Sequence, residues 1–318
     1  MANPIAAYLA KAKTYLSPDY WKKTREVHGA DGVYREINRI VFRRNVGQSE
    51  RQRHVDLSEV TSDPIEALYL VGVSDPVVIP GIHVPMGSLR HQRLGVRIDD
   101  EVSNPFTRSV LEYRKGSQTT YRGSALEHFF RSWQPRNAGE FLGLGPDGLS
   151  SLLSMPMQSD LLPWEPSATA EELRVRREAL ELKRLAKFGE APGGYHGHDY
   201  FGPVSESLGE YRFNKHCEVA DLMAHESLQG HVIEVQVLAA GSSWALLVRD
   251  GRHRTAALAV LGLDEVPVYM PQRYPIIQRE SVESWPGVTA GVFTVEQAVT
   301  VFDRFLEGEP PSGLTLPP

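Results

Sequence analysis

Residues 249–270, RDGRHRTAALAVLGLDEVPVYM, have the least freedom in how they can fold. An apolar run over 244–248 stops at Asp250-Gly251, three basic or imidazole side chains follow, and an Ala/Leu-rich helical segment begins at Thr255. Gly262 is the natural end of that helix, and 266–269 reads as a buried strand. The local order is therefore strand, tight turn, helix, strand.

That junction favours an anion. The first amides of a helix have no partner inside it, and the positive end of the helix dipole adds to them. Gly251 lets a ligand approach the backbone closely, and Arg252, His253 and Arg254 supply side-chain donors beside it. The plain alternative is an ordinary strand-to-helix turn in which Asp250 merely caps while Arg252 and His253 are solvated. The coincidence of turn, basic cluster and helix start favours phosphate.

Asp250-Gly251-Arg252-His253-Arg254 resembles the phosphate-binding box of the ParB/sulfiredoxin superfamily, which reads G-C-H-R in sulfiredoxin, G-E-R-R-x-R-A in ParB and D-G-H-H-R in free-serine kinases. The upstream order also resembles that family: a helix from about residue 210, Gly230, a strand over 232–238, then the strand leading into the box. The resemblance covers about a quarter of the chain and is nearest to the kinase-type box. Sulfiredoxin chemistry needs a thiolate where this chain has Arg252, and Cys217 lies elsewhere; ParB has a further arginine where this chain has Ala256. The region with FGPVS ahead of the helix and WPGV near the end also resembles ParB-like proteins of bacterial surface-polysaccharide loci.

The resemblance implies an α+β fold, a ParB/sulfiredoxin-like small mixed sheet with flanking helices. To this the chain adds a large, mostly helical and irregular N-terminal extension. The expected division is an accessory or acceptor region over 1–145, a loop and connecting helix over 146–190, the nucleotide-binding core over 191–275, and a C-terminal helix and tail over 276–318. Implied cofactors are ATP or another nucleotide with Mg2+. Gly251, Arg252, His253, Arg254 and Thr255 would hold the phosphates. Asp250, Glu210 or Glu206 would serve catalysis, since an acidic residue from the region before the box faces the phosphates in the superfamily. Ser207-Leu208-Gly209-Glu210 is also a capping-box pattern, which by itself accounts for Glu210.

A net charge of -6 gives no general attraction to polyanions, which disfavours nucleic acid as a partner. No apolar stretch approaches the roughly eighteen residues of a membrane span, and a single cysteine cannot close an internal disulfide. A cytoplasmic protein acting on a small-molecule acceptor is the expectation, and a homo-oligomer is compatible with it.

Elsewhere the pattern predicts short helices over 1–30. An amphipathic helix follows near 34–45 with Arg35, Arg39 and Arg43 on a solvated face. Strands and turns are expected over 54–98, notably 66–73 and 76–82, and a solvated loop carrying Arg90, His91 and Arg93. Leu126, Phe129, Phe130 and Trp133 have the spacing of a core helix, and Trp164 stands in a Pro-rich loop where packing onto its own domain is favoured. His196, His198 and Asp199 invite a metal, though a loop beside the active site suits their spacing better. The helix from about residue 210 should bury Phe213, Cys217, Ala220 and Ala224. The C-terminal helix should turn Val295, Ala298, Val299, Phe302 and Leu306 inward, with a Thr294/Gln297 capping box.

Overall fold

Two apolar strands carry the architecture. Glu234–Ala240 (β4) and Ser243–Asp250 (β5) pair antiparallel through a tight turn at Gly241, whose φ is 56°. Both are buried on each face, because Val235, Val237, Leu246 and Val248 enter one side and Leu238, Ala245 and Leu247 the other. Such a run needs cover above and below.

The computed structural model describes residues 53–71, 78–155, 161–166, 169–188, 199–225, 232–271 and 273–316. Chain contacts form two units: Met1–Ser49 with Glu171–Gly194, and Glu50–Ala170 with Tyr195–Pro318. Of the first, the described part is most of the helix Ala170–Phe188. The arginine stripe at 35–43, the short helices over 1–30, and His196 and His198 lie outside the described residues.

In the second unit the elements in chain order are β1 (Arg53–Asp56), α1 (Pro64–Val71), β2 (Val78–Pro85), β3 (Leu89–His91), α2 (Pro105–Arg114), α3 (Ala125–Ser132) and α4 (Ala138–Phe141). Counting the first unit's Ala170–Phe188 as α5, there follow α6 (Glu206–His225), β4, β5, α7 (Arg252–Val260), β6 (Glu265–Tyr269), β7 (Ile277–Gln278), α8 (Pro286–Thr289) and α9 (Val295–Glu307). The sheet runs β1-β2-β6-β4-β5-β3, with β7 beside β4. Pairing is mixed: β2–β6 and β4–β5 are antiparallel, whereas β1–β2, β3–β5, β4–β6 and β4–β7 are parallel. The fold is α+β.

One face of the sheet packs Ile82, Val84, Val235, Val248, Val266 and Val268 against Val110 of α2, Ala220 and Met223 of α6, and Ala257 and Leu258 of α7. The C-terminal α9 contacts β5 and packs Phe302 and Phe305 edge-on against Trp164, at 6.0 and 5.5 Å between ring centres. Trp164 therefore packs into its own unit, as expected of it, and the aromatics of α3 are core. The sheet also draws β1–β3 from residues 53–91, so it extends beyond the region assigned to the core by sequence.

Three local expectations are corrected. Residues 64–71 are helix rather than strand, because Asp63 accepts from the amides of Ile65 at 2.7 Å and Glu66 at 3.2 Å and Pro64 starts the first turn. Arg90 and His91 are buried in β3 rather than solvated. The Arg90 guanidinium donates to the Leu306 carbonyl at 2.8 Å and the Phe305 carbonyl at 3.1 Å, closing the end of α9. Burial, with help from Arg97, brings its pKa down to about 10, so it remains cationic at neutral pH. In α9 the capping box forms as expected, but the inward stripe is Ala298, Val301, Phe302 and Phe305, with Val295 42% exposed.

Gly209 lies inside α6, where a methyl group would overlap the buried ring of Tyr121. Gly→Ala within a helix ordinarily stabilises by about 1 kcal/mol. Gly209→Ala should instead lower stability by about 2 kcal/mol, as overpacking does, measured by urea denaturation.

Candidate functional site

The turn between β5 and α7 needs a residue that tolerates positive φ, and Gly251 takes it at 91° as the cap of α7. Among the described residues no side chain caps this helix start, so the amides of residues 252–254 are not satisfied in the usual way. Asp250 turns to the Arg254 guanidinium at 3.3 Å. That guanidinium lies over the turn, since a Cβ built at Gly251 would meet it at 3.3 Å. A cleft of about 360 Å3 opens here, lined by Gln92, Val219, Leu222, Arg249 and residues 250–254.

Below the cleft the charges are locked together. Asp199, in the loop before α6, accepts from Arg252 of α7 at 3.0 Å and also pairs with Arg212 of α6. Arg252 donates to the Tyr200 hydroxyl as well, and Gln92 donates to the same hydroxyl at 3.0 Å. Burial alone would lower the Arg252 pKa, but Tyr200 and Asp199 outweigh it and hold it above the ordinary value. A second carboxylate, Glu165, accepts from Arg93 at 2.8 Å and Arg249 at 3.0 Å. Burial pushes its pKa up, but the two arginines outweigh this and hold it below the usual range.

Three imidazoles fill the space behind α7. His253 sits 4.4 Å from His216, while Phe106 stacks on His216 at 5.3 Å and on His91 at 4.9 Å. His91 Nδ1 accepts from the Leu94 amide at 3.2 Å, which places the proton of the neutral ring on Nε2. Burial is the first cause in all three, joined by neighbouring arginines and, for His216, by His253 ahead of them: His91 and His216 lie well below the usual histidine value, and His253 falls to about 3. They are neutral at physiological pH.

No protein-family model matches this chain, and no curated protein or solved structure matches it.

The residues singled out by sequence occupy different environments. Gly251 and Arg254 face the cleft directly. Arg252 lines it while its guanidinium is held by Asp199 and Tyr200. His253 lines it with its ring packed on His216, and among the described residues its buried Nε2 meets no hydrogen-bond partner. Thr255 is fully buried, its hydroxyl donating to the Arg252 carbonyl at 2.9 Å. Asp250 is the one carboxylate among the described lining residues. Glu206 and Glu210 are exposed on α6 and do not line the cleft; Glu206 pairs with Arg122. The cap of α6 is Ser205, which accepts from the Leu208 amide at 3.2 Å, two residues before the expected cap at Ser207. Ala256 is buried in α7, so an arginine in its place would have no route to solvent.

Asp199, Gln92, Arg249 and Glu165 were not assigned to the site from sequence. Asp199 carried a signal, an acidic residue in a Gly-bounded loop ahead of the helix. Arg249 adjoins the turn in sequence, at the end of β5, whereas Gln92 comes through pairing of β3 with β5 and Glu165 through docking of the Trp164 loop, which no local pattern announces.

The depressed histidines fix the sign of the pH dependence. Below an unfolded pKa near 6.5 the unfolded chain binds protons that the folded chain refuses, so stability is present above that pH and lost as pH falls through 6 and 5. Each histidine contributes up to about 1.4 kcal/mol per pH unit in that window. Urea unfolding at pH 7, 6 and 5 should show the loss, and the slope should diminish in His253→Gln.

Proposed function

We propose that the cleft over the start of α7 binds the phosphate oxygens of a nucleotide, and that the protein is a nucleotide-dependent phosphotransferase acting on a small hydroxylated metabolite or sugar. The observation that carries this reading is the helix start: no side-chain cap, a left-handed glycine and a guanidinium over the turn, all open to one cleft. This is the arrangement by which helix N-termini hold phosphate. The resemblance of residues 250–254 to the kinase-type box of the ParB/sulfiredoxin superfamily supports the same reading and suggests ATP or ADP as the donor.

In this reading the amides of 252–254 and Arg254 hold phosphate oxygens, and Arg249 contributes positive potential from the wall. Arg252 works from beneath, fixing the turn through Asp199 rather than touching ligand. Mg2+ is commonly held by one or two carboxylates together with substrate phosphates. Asp250, exposed at the cleft, suits that role, and the ion would supply neutralisation of phosphate charge. Asp250 is equally suited to accept the proton of the acceptor hydroxyl. Val219 and Leu222, the latter 43% exposed, offer an apolar wall for the uncharged part of a ligand.

A second reading, a nucleotide sensor without turnover, is favoured by one observation: among the described lining residues Asp250 is the sole carboxylate, so Mg2+ orientation and proton acceptance would fall on one group. A ParB-like DNA-binding or CTP-hydrolysing clamp has less support, given the net charge of -6 and the buried Ala256.

A thermal-shift screen with ATP, ADP, CTP and GTP, with and without Mg2+, should raise the melting temperature with at least one nucleotide. Arg254→Ala should weaken that binding about ten-fold, as loss of a charge-assisted contact does. Asp250→Ala should lose phosphoryl transfer while keeping its fold. Absence of any shift, together with absence of heat in calorimetry, would defeat the reading.

A further inference from the structure

Every arginine that lines the cleft has a carboxylate partner, and the three pairs differ in exposure. Arg249–Glu165 is 3.0 Å long with side chains 15% and 19% exposed, and Arg252–Asp199 is 3.0 Å with 21% and 16%. Both carboxylates are shared with a second arginine, Arg93 or Arg212, and separating them would strand shielded charge. Arg254–Asp250 is unlike the others. It is a single contact at 3.3 Å across one helical turn, and the carboxylate is 70% exposed. Exposed pairs of that kind are the weakest class of ion pair.

We propose that Asp250 is the resident counter-ion of Arg254, displaced when a phosphate binds, and that it makes the cleft select anions carrying a divalent cation over bare anions. The proposal rests on the phosphate reading above and concerns the selectivity of that same site. The guanidinium held by Asp250 lies over Gly251, beside the first amides of α7, which no side chain among the described residues caps. A bare phosphate placed there meets a like charge that also competes for its best donor. A cation carried on the phosphate reverses this sign, because Asp250 becomes one of its oxygen ligands. Among the described residues no group of three or more His, Cys, Asp or Glu is placed to hold a metal ion. The ion therefore depends on the phosphate for most of its ligands.

The test is calorimetric titration of the full chain with inorganic pyrophosphate, in chelator and then in Mg2+, comparing wild type with Asp250→Asn. The exposed site should accept the isosteric amide without loss of fold, checked by thermal unfolding. In chelator the variant should bind about five-fold more tightly, the effect expected of removing one like charge about 4 Å away in water. Mg2+ should tighten binding to wild type and change the variant little. Equal or weaker metal-free binding by Asp250→Asn overturns the proposal, as does an equal Mg2+ response in both proteins. If wild type binds and only these differences fail, the phosphate reading survives. If neither protein binds pyrophosphate or any nucleotide under either condition, that reading falls and this proposal with it.

Discussion

The carboxylate of Asp199, shared between Arg212 and Arg252, is the contact on which the cleft depends. It joins the loop before α6, the middle of α6 and the first residue of α7 at a single shielded point. Breaking such a pair from one side leaves buried charge uncompensated, which is costly, whereas the intact pair contributes little beyond its desolvation. Its value lies in geometry: it fixes where α7 begins, and so where the free amides point. Tyr200 and Gln92 extend the tie to the residue following β3.

Around this point the charges are arranged by depth. The innermost layer is His91, His216 and His253, neutral because burial and neighbouring arginines both oppose protonation. Outside it lie the shielded pairs of Asp199 and Glu165, which hold Arg212, Arg252, Arg93 and Arg249 in place. Of the three arginines among the described lining residues, Arg254 is the one whose partner solvent can reach readily, with the helix dipole behind it.

Sequence reading worked best where structure is local. The strand, Gly251 turn, α7 and β6 follow one another within twenty-odd residues, each announced by its own residue pattern, and the Thr294/Gln297 capping box formed as read. Reading failed where partners come from afar. Arg90 and His91 look solvated until the carbonyls closing α9 and the ring of Phe106 are brought to them. Asp199 was grouped with His196 and His198 because nothing in its neighbourhood shows that two arginines from separate helices converge on it. The helix at 64–71 was the exception, a local feature missed: the Asp63-Pro64 start was present but was outweighed by the prolines around it. In α9 the stripe is legible at Ala298 and Phe302 but rotated toward Val301 and Phe305 rather than Val295, Val299 and Leu306, since apolar residues on both sides of the true face leave the rotation to tertiary packing.

The parallel pairing of β3 with β5 has a practical consequence. The segment that carries the Gly251 turn cannot be excised cleanly at the boundary that its sequence pattern suggests. A fragment starting near residue 191 would lack β1, β2 and β3, leaving β5 and β6 with unpaired edges of apolar strand, the kind of surface that recruits other chains into aggregates. It would also lack Gln92 and the guanidinium that closes α9. The N-terminal strands are thus part of the same sheet as β5 and β6, and any minimal version of this protein has to carry them.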